Sequence, residues 1–293
     1  MKNLFKYIAI ILIAPTIFNC SKNDDGGNNA PNENIRLKTY GIDTNEYDIT
    51  YSTEGKPTGF ETSSGNNVII YNDNNQIIQM GNITYTYNSQ GRIATVNRVA
   101  TSNTTASTIA YNNEGQIAVI NTTSNVYGNS KTTMEYEDTK LKTVKEYNSS
   151  NASSYSKLTL DYDANNNIKQ LLVTRSADDI TYTNEITYTY TYDTKINPYY
   201  FTLTKIGITT ELNMLSFINY ETFRYNAYDG LKYYSKNNIL SYKRIGSDGT
   251  IYQSDTYDYV YNENNLPISA ERQANYSTGG SLTIYYNWTY ETY

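Results

Sequence analysis

Closely spaced carboxylates are one group of residues in this chain that could bind a metal ion. Asp161 and Asp163 are separated by one residue in an extended segment, so both side chains would point to one face of a strand. Such a pair suits Ca²⁺ when carbonyl oxygens complete the ligand shell. Asp is also an ordinary residue beside a turn, which is the interpretation we favour. Two further pairs occur, Asp24-Asp25 in a polar segment and Asp178-Asp179. We therefore predict no metal site.

Histidine is missing from all 293 residues, and Cys20 is the one cysteine. The lack of His removes the usual general base, the commonest metal ligand and every Ser-His or Cys-His nucleophile pair. No glycine-rich phosphate-binding loop is present either. A Glu/Asp pair for glycoside hydrolysis has no fixed sequence spacing, so an extracellular polysaccharide hydrolase stays an alternative. We predict a protein that is not an enzyme and has no cofactor.

Aromatic residues form a second group that could bind a ligand. Trp288 stands between Tyr286 and Tyr290, while Tyr199 and Tyr200 follow a turn signal. Aromatic rings in a concave site can serve as platforms for sugars and other flat ligands. The simpler interpretation, which we favour, is that Trp288 lies on the packing face of the last strand. These five residues are the candidate ligand-binding residues.

The charge of the chain excludes one class of partner. The net charge is -6, and removal of Lys2 and Lys6 with a signal peptide would leave 21 basic against 29 acidic side chains, a net charge of -8. Nucleic-acid binding rests on neutralisation of phosphates by clustered Lys and Arg. The sequence has no such cluster, so we expect no nucleic-acid partner.

The N-terminus predicts export. Lys2 and Lys6 precede an apolar run from residue 8 to residue 13, which is typical of a secretory signal and too short to span a membrane as a helix. Residues 1–19 are therefore predicted to be a signal peptide that ends at Cys20. A secretion signal followed by an incidental cysteine is the alternative.

The segment around Cys20 resembles a lipobox. In Ile17-Phe18-Asn19-Cys20 the cysteine would be lipidated after cleavage, although Phe18 and Asn19 replace the usual small residues. Residues 20–34 then form the lipidated Cys and a flexible polar tether. The run Ser21-Lys22-Asn23-Asp24-Asp25 resembles the acidic export signal of Bacteroidetes-type surface lipoproteins, or is simply a solvated linker. We predict an outer-membrane lipoprotein of the cell envelope, exposed at the surface.

A seven-residue unit recurs through the rest of the chain. In Tyr87-Asn88-Ser89-Gln90-Gly91-Arg92-Ile93, an Asn and a Gly three residues later predict a type I turn that ends in a left-handed residue. Gly91 adopts that conformation without steric cost. Tyr87 then faces Ile93 across a hairpin, as a stabilising cross-strand pair. Similar units occupy residues 51–57, 71–77, 111–117, 136–141, 162–168 and 261–267.

Strict alternation of residue types accompanies the unit. Ile83-Thr84-Tyr85-Thr86-Tyr87 alternates as a strand with two different faces does. We assign Tyr85, Tyr87 and Ile93 to one face and Thr84, Thr86, Ala94 and Val96 to the other, which in the first units carries Val68, Ile70, Ile78 and Met80. Because neither face is purely polar, we predict an all-β fold: an antiparallel up-and-down meander of hairpins curved into a barrel or half-barrel.

The domain organisation follows from this pattern. Residues 35–293 are predicted to be a single β domain, with an irregular insert at 196–245 where the repeat lapses. Within the insert, apolar residues at helical spacing predict a short helix near 211–219. The face of the strands opposite their tyrosines is rich in Thr, Asn and charged residues. A barrel that spans a membrane would need apolar residues at those positions. We therefore expect a water-soluble domain held by lipid at Cys20.

The unit resembles the YD repeat of RHS-type proteins, at Tyr71, Tyr87, Tyr111, Tyr162 and Tyr261. Together with Cys20 and Tyr192-Asp193-Thr194-Lys195-Ile196-Asn197-Pro198, the chain looks like a group of Bacteroidetes outer-membrane lipoproteins with a porin-like domain of unknown function. The resemblance implies a curled β-meander and an envelope location, and no catalytic residues.

Three function hypotheses follow. The first is a non-enzymatic, lipid-anchored binding or scaffold module, with a glycan, a peptide or an envelope protein as its ligand. The second is the polysaccharide hydrolase, and the third is a purely structural, shell-like role. An open aromatic-lined cavity would favour the first, and a sealed interior the third.

Overall fold

A computed structural model describes residues 34–62, 65–100, 103–126, 128–148, 154–200 and 235–293. They form 18 strands. The first nine are β1 (Ile35–Ile42), β2 (Asn45–Tyr51), β3 (Pro57–Thr62), β4 (Gly65–Tyr71), β5 (Ile77–Met80), β6 (Ile83–Tyr87), β7 (Ile93–Val99), β8 (Thr104–Tyr111) and β9 (Ile117–Ser124). The others are β10 (Gly128–Glu137), β11 (Lys140–Asn148), β12 (Ser154–Tyr162), β13 (Ile168–Ser176), β14 (Thr183–Ile196), β15 (Asn237–Gly246), β16 (Ile251–Tyr261), β17 (Pro267–Tyr276) and β18 (Ser281–Thr292). The predicted all-β class is confirmed.

The strands form a closed meander. Each strand pairs antiparallel with the next along the chain, and β18 returns to pair with β1. Closure removes both sheet edges, whose unpaired N–H and C=O groups would otherwise recruit other chains. Of the two predicted shapes, barrel or half-barrel, the barrel is the one formed.

Arg36 stabilises the seam between β1 and β18. Its guanidinium Nη2 lies 2.6 Å from Glu291 on the facing strand. The same guanidinium lies 3.9 Å from the ring centroid of Tyr51 and 4.8 Å from that of Tyr293. A cation held between two rings and a carboxylate links the first, second and last strands of the barrel.

The repeated turn has the predicted geometry. Gly91 has a φ of 73°, Asn88 N donates to Arg92 O at 2.8 Å, and Gly91 N donates to Asn88 O at 3.0 Å. Asn88 Oδ1 also accepts the N–H groups of Gln90 and Arg92. This cap explains why Asn, Asp or Ser follows the tyrosine in the other bulged turns. Their left-handed residues are Gly55, Asn75, Gly115, Asn166 and Asn265.

A bulge at each turn changes which residues share a face. Tyr87 pairs with Ile93, but the register then shifts, so that Tyr85 faces Val96. Val96 therefore packs against the core with Tyr85, and its predicted assignment to the opposite face was wrong. Met80 was also misassigned: it is 5% exposed, whereas Val68, Ile70 and Ile78 lie on the face opposite Tyr85 as predicted, and this is the outer face.

The inner face of the barrel is a buried core. Every strand contributes apolar side chains to one contact cluster, and Ile93, Val144, Leu160 and Tyr188 are each 0% exposed. Barrels of about 16 to 18 strands are wide enough to enclose an aqueous channel. At the positions of this cluster the inner wall is packed rather than water-lined.

Two predictions concern the segment between β14 and β15. Strand β15 begins at Asn237, so regular structure occupies the last part of the range predicted to be irregular, 196–245. Residues 198–200 are helical. The helix predicted near 211–219 lies outside the described residues. Within the described part of the chain, no helix is long and apolar enough to cross a membrane.

Candidate functional site

A ring of tyrosine hydroxyls joins the hairpins at the end of the barrel that carries the repeated turns, which we call the turn rim. Tyr87 Oη donates to Ile77 O at 2.7 Å, and Tyr111 Oη donates to Ile93 O at 2.8 Å. In each case the acceptor belongs to the residue that pairs with the previous tyrosine. The tyrosine ring comprises Tyr51, Tyr71, Tyr87, Tyr111, Tyr136, Tyr162, Tyr192 and Tyr290, whose acceptor carbonyls lie 2.5–3.0 Å away.

The tyrosine hydroxyls donate to backbone carbonyls at positions where the backbone pairing of neighbouring strands has ended. The pairing of β7 with β8 stops at Thr95 and Thr108, short of the turn rim. Tyr111 then reaches across the gap to Ile93 and satisfies a backbone carbonyl that the ladder leaves over. Burial raises the pKa of Tyr71 and of Tyr111 to about 12, so these hydroxyls stay protonated donors at ordinary pH.

One unit of the barrel is split by the insert. Tyr192 pairs with Ile239 as Tyr87 pairs with Ile93, although 46 residues lie between them. Asp193 Oδ1 accepts the N–H groups of Lys195 and Asn238, which is the role of Asn88 in the intact turn. The next tyrosine, Tyr261, donates to the Asp193 carboxylate instead of to a carbonyl.

Trp288 and its predicted neighbours lie in a buried aromatic cluster inside the barrel. Trp288 is 5% exposed and stacks on Tyr286, with ring centroids 5.9 Å apart and an interplanar angle of 8°. Tyr199 meets the indole edge-on at 6.2 Å, and Tyr259 stacks on it at 6.3 Å. The interpretation of Trp288 as a packing residue matches this geometry.

The cavity beside Trp288 is small. It measures about 30 Å³ and is lined by this cluster together with Asn197 and Asn238. That volume is close to the share of one water molecule in the liquid, about 30 Å³, and far below a sugar site. Tyr290 is half-buried and belongs to the tyrosine ring, and Tyr200 is half-buried at the helical turn. The structure thus unites Trp288, Tyr286 and Tyr199, without an open face for a sugar.

A buried ion pair lies deeper in the same wall. Arg272 Nε and Nη2 lie 2.7 and 2.6 Å from Asp255 Oδ2, and Gln253 Nε2 donates to both Asp255 oxygens at 3.0 and 3.1 Å. Asp255 is 1% exposed and Arg272 6%. Because both charges are desolvated, each depends on the other. Alternation of inward residues along β16 and β17 could have located this pair in the sequence.

Glu146 is a second buried carboxyl, on β11. It is 2% exposed, it faces Thr132 and Ser156 on the neighbouring strands, and its Oε2 has no hydrogen-bond partner among the described residues. Burial raises the pKa of Glu146 to about 7. Sequence reasoning missed this residue, although it alternates with Val144 on the inner face of β11.

The acidic pairs singled out in the sequence serve turns and ion pairs. Asp161 lies 3.0 Å from Lys169 Nζ on the outer face, and Asp163 caps a turn by accepting the N–H groups of Asn165 and Asn167. Asp178 accepts from Ser176 Oγ, which with neighbouring backbone N–H groups lowers the pKa of Asp178 to about 2. In the described ranges no group of three or more His, Cys, Asp or Glu could hold a metal.

A polar groove opens at the turn rim, between the turn at 88–92 and the end of β8. This rim groove has a volume of about 460 Å³, within the range of about 300–1,000 Å³ for small-molecule sites. Its polar lining comprises Asn88, Gln90, Arg92, Tyr111, Asn112 and Asn113. Sequence reasoning assigned these residues to the repeat unit and did not propose them as a binding site. Cys20 lies outside the described residues, as does Asp24-Asp25.

No family model matches the chain, and no curated protein matches it. Solved structures do resemble it, among them two that are described as porin-like proteins. The one from Bacteroides uniformis ATCC 8492 is 14% identical with a TM-score of 0.48, and the one from Bacteroides vulgatus ATCC 8482 is 11% identical with a TM-score of 0.45. Each similarity covers 87% of this chain and 98% of the other. At these values the similarity assigns no function, and the fold rests on the strand pairing above.

Proposed function

We propose that this protein is a lipid-anchored, non-enzymatic binding module of the cell envelope, held by Cys20, whose closed barrel is a rigid scaffold for sites at its rim. The observation that carries the proposal is the contrast between a buried inner face and an open polar groove at the turn rim. A wall fixed by the tyrosine ring and by closure holds such a groove without reorganisation on binding.

The outer face supports a tether rather than insertion of the wall into lipid. Asn129, Lys131, Glu135 and Glu137 are exposed on the outer face of β10, and Asp258 is exposed on β16. A lipid-facing strand needs apolar residues at alternate positions, and charge at mid-membrane costs about 2 to 4 kcal/mol for Arg or Lys. The N-terminal signal and Cys20 then supply the attachment to the outer membrane, with the barrel at the surface.

The attachment is tested by metabolic labelling. Full-length protein is expressed in a bacterial host with radiolabelled palmitate and compared with the Cys20→Ala and Ser21→Ala variants. We expect label and membrane association in the unmodified protein and in Ser21→Ala, and neither in Cys20→Ala. Equal labelling of Cys20→Ala would contradict the anchor.

The binding role is tested with the full-length protein in detergent micelles on an array of glycans and envelope-protein peptides. We expect binding to at least one class, unchanged by Trp288→Phe, because Trp288 is buried. Lack of binding to every class of glycan and peptide on the array would contradict the binding role. It would leave the second candidate, a structural shell, which the packed inner face favours.

A hydrolase is not the role we propose. The acids that the sequence singled out, Asp161, Asp163 and Asp178, are engaged in an ion pair or in turn caps. Release of reducing ends from any polysaccharide bound on the array would overturn the non-enzymatic assignment.

A further inference from the structure

The sixth residue of the repeat unit forms a second set of contacts along the turn rim. In three units a polar side chain at this position reaches the left-handed residue of the next turn. Lys56 Nζ donates to Asn75 Oδ1 at 2.7 Å, and Gln76 Nε2 donates to Gly91 O at 3.0 Å. Gln116 Nε2 donates to Asp138 O at 3.2 Å. Residues at this position therefore connect neighbouring turns.

Arg92 occupies the same position but makes a different contact. Its guanidinium packs on Gly115, where an added Cβ would come within 2.5 Å of Nη2, and lies 5.4 Å from the ring centroid of Tyr111. These contacts hold the guanidinium at the rim groove. Among the described residues Arg92 makes no ion pair, whereas Lys56 also contacts Glu54 at 2.9 Å.

The other polar groups of the rim groove are the Tyr111 hydroxyl, which donates to Ile93 O, and uncharged amides. Asn88 Oδ1 is used by its own turn, while its Nδ2 and the side chains of Gln90 and Asn113 are not engaged elsewhere in the described structure. Gln90 and Asn113 are exposed at the groove. An amide donates and accepts at adjacent atoms, which suits neighbouring hydroxyls. Among the described residues that line the groove there is no carboxylate.

We propose that the rim groove binds an acidic saccharide, whose carboxylate pairs with Arg92 and whose hydroxyls bond to Asn88, Gln90 and Asn113. Arg presents two parallel N–H groups that match a carboxylate. The groove volume of about 460 Å³ exceeds what a simple inorganic anion fills, which favours a sugar acid over phosphate. This inference rests on the proposed binding function and names its ligand class.

The test is titration calorimetry of the full-length protein in micelles with trigalacturonate, neutral galactotriose and inorganic phosphate. We expect trigalacturonate to bind about 10- to 100-fold more tightly than galactotriose, since one charge-assisted pair is lost with the neutral sugar. Phosphate bound as tightly as trigalacturonate would overturn the saccharide assignment.

Matched variants locate the site. Arg92→Gln places at position 92 the residue that the repeat already carries at 76 and 116, so the turn should fold. We expect it to weaken trigalacturonate binding about 10- to 100-fold. Lys56→Gln, the same exchange in another unit, should leave binding unchanged. Equal affinities of Arg92→Gln and the unmodified protein would overturn the site.

The two proposals fail in different ways. If the array shows glycan or peptide binding that Arg92→Gln does not alter, the binding function stands and the rim groove is not its site. If no ligand class binds while Cys20 is lipidated, the binding function itself is lost. Lipidation and far-UV circular dichroism of each variant confirm that it is exported and folded.

Discussion

The two walls of the barrel bury different chemistry. From β2 to β13 most fully buried positions are aliphatic, among them Ile49, Ile93, Leu158 and Leu160. From β14 to β18 they are mainly tyrosines, Trp288 and an ion pair, on strands of 10–14 residues. In most units of β2 to β13 the short repeat places an Ile or a Leu opposite its tyrosine in the core. From β14 to β18, where the insert interrupts the repeat, the strands are longer, and the buried charges of Asp255 and Arg272 pair with each other.

The largest expected effect concerns the buried ion pair in β14 to β18, the strands that we call the aromatic wall. Arg272→Met leaves Asp255 buried without its partner and should lower the free energy of unfolding by about 3 to 5 kcal/mol, measured by urea unfolding. The double variant Asp255→Leu/Arg272→Met removes both charges and should recover much of that loss.

A matched control for the ion pair lies nearer to solvent. Arg175 and Glu185 lie 2.9 Å apart with side chains 19% and 30% exposed. Arg175→Met should therefore cost about 1 kcal/mol or less. Equal losses in the free energy of unfolding for Arg272→Met and Arg175→Met would mean that burial does not distinguish the two ion pairs.

The next effect concerns Glu146, the one buried acid among the described residues of β2 to β13, the strands that we call the aliphatic wall. Its folded pKa of about 7 lies above the ordinary value of 4.5. Between these pH values the folded state binds the proton more tightly than the unfolded state. The contribution of Glu146 to the free energy of unfolding is therefore full below about pH 4.5 and is lost as the pH rises toward 7. At about 1.4 kcal/mol per pKa unit the loss is about 3 kcal/mol.

Urea unfolding from pH 4 to pH 9 checks this. Glu146→Gln should remove the fall in stability, whereas Glu135→Gln, an exchange at an exposed position of β10, should retain it. A pH profile of Glu146→Gln that matches the unmodified protein would refute the assignment to Glu146.

A smaller effect tests the turn that builds the aliphatic wall. Gly91→Ala forces a side chain into the left-handed region at φ 73° and should cost about 1 to 2 kcal/mol in urea unfolding. Gly91→Asn should cost clearly less, because Asn75 and Asn166 occupy the equivalent position at φ 61° and 65°. Equal costs for Ala and Asn would show that packing, rather than backbone conformation, selects glycine.

The smallest effect separates two tyrosines of one strand. Tyr87→Phe leaves Ile77 O without its donor and should cost about 1 kcal/mol. Tyr85 Oη is buried with no hydrogen-bond partner among the described residues, so Tyr85→Phe should be neutral or stabilising. A larger loss for Tyr85→Phe in urea unfolding would contradict the role given to the tyrosine ring.

Local chemistry accounts for what could be read from the sequence. The turn from Tyr87 to Ile93 is set by a capping Asn and a left-handed Gly within seven residues, so its geometry was predictable. The inner placement of Tyr85 follows from alternation. The register shift that brings Val96 to the same face was missed, because the bulge breaks that alternation. The groove at Arg92 was missed because it needs two turns side by side.

Contacts between near neighbours in the chain specify the all-β class, the turns and the recurring pair of a tyrosine with an aliphatic residue, so these features could be predicted. Which distant segments supply the partners depends on how the whole barrel folds. Tyr290 pairs with Leu37 across the seam, and Tyr192 pairs with Ile239 across the insert. Those pairs complete the same unit through space, and no local rule can select them. Closure of the barrel selects the pair at the seam, because it leaves no other strand for β1 and β18 to pair with.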